Sequence, residues 1–238
     1  MVIFFDLDDT LLDDLAAKNH YMPKLYHHFI DCIKYNENEF YAKWKEAVPK
    51  YHNKYTNGEM TFEEQRAKRV QEAFGNSDLP ESKVSEVVKV FDKYFKEGWK
   101  PFPDTNRILN FLKSFRKGII TNGSSKQQNE KIDILGIRNY FECILISEEV
   151  GISKPDERIF KMGCDRLDCS PSECLYIGDS WEIDVLGSNN ASMKPIWFNR
   201  YKKPIPEPIE GLLIIEELNE IEKIIANSEK TKGMPILG

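Results

Sequence analysis

No apolar run in this 238-residue chain approaches the roughly 20 residues needed to cross a bilayer, so a helical membrane span is not expected. The amino-terminal end lacks a basic segment followed by a signal-type apolar core, so neither is a secretory leader. The five cysteines, Cys32, Cys143, Cys164, Cys169 and Cys174, contain no C-x-x-C pair. Odd in number and unpaired in spacing, they read as free thiols of a reducing cytoplasm and speak against a zinc site. An excess of positive charge is missing too. The 33 Lys+Arg against 39 Asp+Glu leave a net charge of −6, which argues against a nucleic-acid polymer or an anionic membrane as partner. A local basic patch can still hold a small anionic substrate. There is no internal repeat and no low-complexity segment, so no solenoid or compositionally biased linker is expected. Histidine is scarce and displaced: His20, His27, His28 and His52 all lie in one early block.

What is present reads as an ordinary globular protein, with 41% hydrophobic and 12% aromatic residues and length enough for a sizeable core. Val2, Ile3, Phe4 and Phe5 form a short buried strand that ends in acids. From Ala16 to Trp99 the pattern turns helical. Tyr21, Leu25, Phe29 and Ile33 fall at helical spacing, and Val84, Val87, Val88, Phe91 and Phe95 make one apolar stripe. Thr61-Phe62-Glu63-Glu64 has the form of a capping box. Gly98-Trp99-Lys100-Pro101-Phe102-Pro103 then interrupts the pattern. Beyond it strands alternate with helices: a helix capped by Asp104 and running to Ser114, a strand at 119–121, a helix from Ser125 to Leu135 and a strand from Cys143 to Ile146. A helix from Asp156 to Arg166, a strand at 175–177, a helix near Glu182, a strand from Pro195 to Phe198 and a last helix from Glu217 to Ala226 complete the series. The tail Ser228–Gly238 is expected to fray. Alternation of this kind implies an α/β fold, a Rossmann-like parallel sheet covered by helices. Residues 1–13 and 101–238 would form that core, with 14–100 inserted after the first strand as an all-helical cap domain.

In open α/β sheets, ligands sit outside the carboxyl ends of the strands. Those ends carry, in order, Asp6 and Asp8; Thr121 and Asn122; Ser153 and Lys154; and Asp179 with Asp184. Four carboxylates so close resist ionising together unless a cation neutralises them. Oxygen-only donors suit a hard ion, and Mg²⁺ in particular takes one or two carboxylates together with substrate phosphate and water. A carboxylate can also attack phosphorus to give an aspartyl phosphate. With every histidine in the insert, Asp8, two residues beyond Asp6, is the natural proton carrier. Asp9, Asp13 and Asp14 read as turn, solvation or capping residues. Helix faces and hinge packing account for Trp44, Lys50, Lys54, Trp99 and the histidines of the insert as well as substrate contact does.

The segments "DLDDT", "ITNG", "SKPDERIF" and "GDSWEID" resemble, in order, the four motifs of the haloacid dehalogenase-like (HAD) hydrolase superfamily. The resemblance covers residues 1–200, with the cap between the first two motifs. It implies that Asp6 is a nucleophile and Asp8 a general acid/base. It further implies that Asp6, the Asp8 main-chain carbonyl and Asp179 hold Mg²⁺. Thr121 and Lys154 would bind the phosphoryl group, with Asn122 beside them, and Asp184 would stand in the outer shell of the metal or pair with Lys154. Dehalogenating members lack an acid at the Asp8 position, so Asp8 favours phosphate chemistry. "NYFECILISEEVGISKPDERIF" and "GDSWEIDVLGSNNA" look most like the group of pyrimidine 5′-nucleotidases and N-acylneuraminate-9-phosphatases. The expectation is therefore an Mg²⁺-dependent cytoplasmic phosphatase of a small phosphorylated metabolite, leaning to a nucleoside 5′-monophosphate. The rivals are a sugar or acyl-sugar phosphate phosphatase, a phosphomutase or dehalogenase of the same fold, and a non-catalytic binding protein.

Overall fold

The computed structural model describes residues 1–232 of the chain. It begins with β1 (Val2–Phe5), four apolar residues with no room for alternation because both faces of the strand are covered. Four helices come next: α1 (Asp14–His28), α2 (Glu37–Thr56), α3 (Phe62–Ala73) and α4 (Glu81–Glu97). The rest alternates: α5 (Thr105–Phe111), β2 (Arg116–Thr121), α6 (Ser125–Ile134), β3 (Cys143–Ile146), the single turn α7 (Ser147–Val150), α8 (Glu157–Arg166) and β4 (Cys174–Gly178). A wide helical turn of π type (Trp181–Leu186) runs into α9 (Gly187–Asn190), and β5 (Lys194–Phe198), β6 (Leu213–Ile215) and α10 (Ile221–Lys232) close the chain. The described residues divide into two compact units, one of residues 1–13 with 101 onward and one of 14–100.

The first unit is a six-stranded parallel sheet in the order β3-β2-β1-β4-β5-β6 among the described residues, so the fold is the expected Rossmann-like α/β core. Its register sets Phe5 beside Ile119 on one side and Ile177 on the other. The last residues of β1, β2 and β4 therefore finish nearly level, and the residues beyond them emerge together. Val2, Phe4, Ile120, Leu145 and Tyr176 pack against Ile159, Phe160 and Cys164 of α8. Each large apolar side chain buried this way contributes about 1.5–3 kcal/mol.

The second unit is the inserted helical domain, in which α1 packs on α4 and α2 on α3. Its centre is aromatic: Tyr21 lies edge-on to Phe91 and Phe95, with ring centroids 4.9 and 5.3 Å away. The Trp44 indole N–H donates to the Tyr21 hydroxyl at 2.8 Å. Trp44 is thus a core residue of this unit, and Lys50 pairs with Glu72. The Thr61–Glu64 capping box forms, with both reciprocal bonds in place.

Several elements differ from expectation. β6 was not anticipated: Leu213 and Ile214 are exposed on an edge strand, and their short apolar run carries no period. Asp104 does not cap α5 with its side chain; its carboxylate takes Arg200 and the Leu218 N–H instead, tying the helix start to the carboxy-terminal part of the sheet unit. The helix near Glu182 is of π type. The Tyr21–Leu25–Phe29–Ile33 spacing overruns α1, which ends at His28. α10 continues past Ala226 to Lys232, so 228–232 are helical, and the remainder of the tail expected to fray, 233–238, lies outside the described residues. Among the described residues no helix is long and apolar enough to cross a membrane. Three of the free thiols, Cys164, Cys169 and Cys174, gather around the start of β4, with sulfurs 3.4 and 3.7 Å apart. Tertiary folding brings them together, at the end of the sheet away from the strand carboxyl ends.

Gly178 shows how closely β4 is fitted to the helical turn beyond it. A Cβ there would lie 2.4 Å from Asp184 Cγ. Gly178→Ala should destabilise the fold by about 1–3 kcal/mol in denaturant unfolding, as overpacked sites do. An unchanged midpoint would show that Asp184 has room to retreat.

Candidate active site

Parallel strands deliver the acids to one edge. Asp6 directly succeeds β1, and its N–H donates to the Ile177 carbonyl of β4, so the first acid stays in sheet register. One turn later Asp9 adopts φ +55, a left-handed conformation that Asp tolerates, and Leu11 N–H and Leu12 N–H both close onto the Leu7 carbonyl. This tight turn lets Asp6 and Asp8 leave the same strand end.

Lys154 lies at the centre. Its side chain is 2% exposed, and its ammonium donates to Asp6 Oδ1 at 2.6 Å, Asp184 Oδ1 at 2.7 Å and the Tyr176 hydroxyl at 3.0 Å. The three ammonium donors are all used, which is the condition for burying such a group. Burial works against its charge, but the Asp184 and Asp6 carboxylates outweigh that effect and hold the lysine pKa above its ordinary value. The lysine is set there by Asn122, whose side-chain carbonyl accepts the Lys154 N–H at 2.8 Å while its amide donates to the Lys154 carbonyl at 2.9 Å. Asn122 was expected to bind phosphate. Both ends of its side chain are instead spent on the Lys154 backbone, because the loops after β2 and β3 must be clamped for the lysine to reach the acids.

Burial pushes the Asp6 carboxyl well above the ordinary carboxylate range; Lys154 opposes the shift, and Asp184, Asp179 and Asp8 add to it. Asp179 is pushed up to about 7, by burial first and then by Asp184 and Asp9. Burial also raises the Tyr176 phenol well above its usual value, with Asp184 and Asp6 adding, so it keeps its proton. Asp184 engages Lys154 and Tyr176 through Oδ1 and accepts the Ser180 N–H at Oδ2. Carboxylate oxygens of Asp6, Asp179 and Asp184 all lie within 4.8 Å of one another. This all-oxygen set fits a hard divalent cation. Asp184 engages both oxygens inside the protein, so Asp6 and Asp179 are the candidate direct ligands.

Thr121 is 1% exposed and its hydroxyl accepts the Gln128 amide at 2.7 Å. Asp8 faces two residues that were not among the expected site residues: Lys131 donates to Oδ1 at 2.6 Å and Gln128 to Oδ2 at 2.9 Å. A signal for them exists in the sequence. Gln128, Lys131, Ile132 and Leu135 have the i, i+3, i+4, i+7 spacing of a buried helix face, and the first two are polar. Tyr176 gives a similar signal, a hydroxyl in the middle of a buried strand that must find partners.

A fully parallel sheet with one insert after β1 thus gathers acids from the ends of β1 and β4 around a buried lysine. The profile of the haloacid dehalogenase-like hydrolase family matches residues 1–192, and the chain belongs to that family. It is 29% identical to the pyrimidine 5′-nucleotidase YjjG of Escherichia coli K12, over 94% of this chain and 96% of that protein. It is 30% identical to the glyceraldehyde 3-phosphate phosphatase of Methanopyrus kandleri, over 87% of each. Among solved structures, the magnesium-bound HAD-hydrolase YfnB of Bacillus subtilis superposes with a TM-score of 0.77 at 26% identity, covering 94% of this chain and 97% of that one. The protein is a phosphoric monoester hydrolase of this family.

The shift at Asp179 gives a test of the cation site. A carboxyl raised from 3.8 to about 7 contributes stability that is fully present below its unfolded value and lost as pH rises through its folded one. A divalent cation needs the ionised form and offsets that loss. The Mg²⁺-induced rise in melting temperature should therefore be larger at pH of about 8 than at about 5.5, and should shrink in Asp179→Asn. Equal rises at both pH values, or an undiminished rise in the variant, would exclude Asp179 as a ligand.

Proposed function

We propose that the protein is an Mg²⁺-dependent phosphatase of small phosphorylated metabolites that works through an aspartyl phosphate, with nucleoside 5′-monophosphates as its favoured substrates. The observation that carries the reading is the division of labour between two neighbouring acids: Asp6 is bonded to the buried Lys154, while Asp8 is held separately by Gln128 and Lys131. The relatives named as nucleotidase and phosphatase support the substrate class.

In the first step an Asp6 carboxylate oxygen attacks phosphorus. The bond from phosphorus to the leaving oxygen breaks, and that oxygen takes a proton from Asp8. In the second step water attacks the phosphorus of the aspartyl phosphate and gives its proton to Asp8. The bond from phosphorus to Asp6 breaks, restoring the carboxylate and releasing inorganic phosphate. Lys154 exchanges its bond to Asp6 for one to a transferring phosphoryl oxygen, and the Thr121 hydroxyl and the Asn122 main-chain N–H are the further phosphate contacts. Asp6, Asp179 and the Asp8 main-chain carbonyl would hold Mg²⁺, with Asp184 behind them, and the bound ion would supply positive charge to the phosphoryl group. The inserted helical unit, 14–100, is the cap that selects among esters; the interdomain movement described for YfnB supports that role. The free thiols support a reducing, cytoplasmic setting.

A panel of nucleoside monophosphates and of sugar, acyl-sugar and triose phosphates, assayed for phosphate release with and without chelator, tests both class and preference. Asp6→Asn should abolish turnover. Asp8→Asn should lower it by about 10²–10⁴-fold while keeping Mg²⁺ binding, since its ligand is a main-chain carbonyl. Beryllofluoride trapped on a residue other than Asp6, or full turnover in chelator, would refute the assignment. A best rate on a sugar or acyl-sugar phosphate would keep the class and replace the substrate.

A further inference from the structure

Asp8 must meet two different partners in the two steps above, the leaving oxygen and then the attacking water. A carboxylate on a surface turn is free to rotate about its side-chain bonds. Asp8 is not free: its two oxygens are taken by different donors from one helix, Oδ1 by Lys131 and Oδ2 by Gln128. A contact to one oxygen fixes distance, whereas contacts to both fix the plane of the carboxylate as well. We propose that Gln128 and Lys131 are the positioning residues of the proton carrier, and that Gln128 also sets its separation from the Thr121 hydroxyl, to which the same amide nitrogen donates. This inference rests on the reading of Asp8 as acid/base.

Three features of the chain make sense in these terms. First, Lys131 and Gln128 are 3% and 1% exposed, on the buried face of α6. A buried ammonium and a buried amide are costly unless fully bonded, so their presence at core positions calls for partners, and Asp8 is the acid that both reach. Second, Gly123 leaves the room Gln128 occupies. A Cβ at Gly123 would stand 3.1 Å from both Cγ and Cδ of Gln128, and its φ of +141 is one that L side chains rarely adopt. The small residue of the ITNG segment thus lets an α6 side chain cross toward the β1 end. Third, α6 is itself fixed at its first turn. Ser124 caps it by accepting the Gln127 N–H, and the Ser125 N–H donates to Glu148 of α7. A rigid helix is a better platform than a loop for a group that must be placed to a fraction of an ångström.

The test uses the full-length protein with Mg²⁺, glycerol 3-phosphate as an alkyl ester and p-nitrophenyl phosphate as an ester whose leaving group departs without a proton. In Lys131→Met and in Gln128→Leu, kcat on the alkyl ester should fall by at least about tenfold, a share of the acid–base contribution, with KM nearly unchanged in Lys131→Met and raised in Gln128→Leu, where Thr121 loses its donor. On the aryl ester the first step should keep its rate, so a burst approaching one equivalent of nitrophenolate should precede a turnover slowed to a similar degree. Lys131→Arg, which keeps the cation, should recover most of the loss. Burst and turnover falling together would mark lost sites, not a misplaced proton carrier, and would overturn the proposal, as would wild-type kcat on both esters. Should Lys131→Met not fold, Gln128→Leu leaves the ion pair in place and carries the same test. A wild-type protein that releases phosphate from no ester would overturn the phosphatase reading and this inference with it. An active wild type with unaltered variants would overturn this inference alone.

Discussion

The structure turns on the buried Lys154 ammonium. It bonds two of the acids at the strand ends at once, Asp6 and Asp184, and its third donor goes to Tyr176. Removing it would leave carboxylates facing each other out of water, an arrangement that proteins avoid by protonation or local opening. Much else serves to keep it in place. Asn122 clamps its backbone, Tyr176 keeps a protonated phenol beside it, and Gly178 lacks the Cβ that would displace Asp184.

The acids are then partitioned among cations. Lys154 serves Asp6 and Asp184, Lys131 serves Asp8, and Lys203 stands 3.7 Å from Asp179. Asp179 has the longest of these cation contacts, and burial first, then Asp184 and Asp9, raise its proton affinity. The distribution has a chemical sense. On the proposed mechanism, the acid that attacks phosphorus is held by a group that also suits a phosphoryl oxygen. On the same mechanism, the acid that carries the proton is held by groups of α6, so the two can be engaged independently.

Parallel pairing is what allows this economy of residues. Asp6, Thr121 and Asp179 are far apart in the chain, yet each sits at or just beyond the last paired residue of its strand. The sheet converts level strand ends into a shared site, and the insert after β1 adds a helical domain without disturbing the register of the strand pairs.

The class of fold and the principal acids are legible in the order of residues alone. Continuous apolar runs at 2–5, 119–120 and 175–177, each ended by a polar residue or a glycine, specify buried parallel strands, and a ligand edge is a consequence of topology alone. The capping box at Thr61 was equally legible, because both partners are local. Whatever depends on distant partners was settled by the folded chain. The Asn122 side chain looked like a phosphate contact until the Lys154 backbone arrived to take both ends of its amide, which leaves the Asn122 main-chain N–H for that role. Asp104 looked like a helix cap until Arg200 and Leu218 claimed its carboxylate. β6 is a strand because β5 offers it an edge, not because its three residues carry a pattern. Gln128 and Lys131 acquired meaning only when β1 placed Asp8 against α6, 120 residues or more away along the chain. Local residue order dictates which groups a strand or helix presents; only folding dictates which of their hydrogen bonds are already spent.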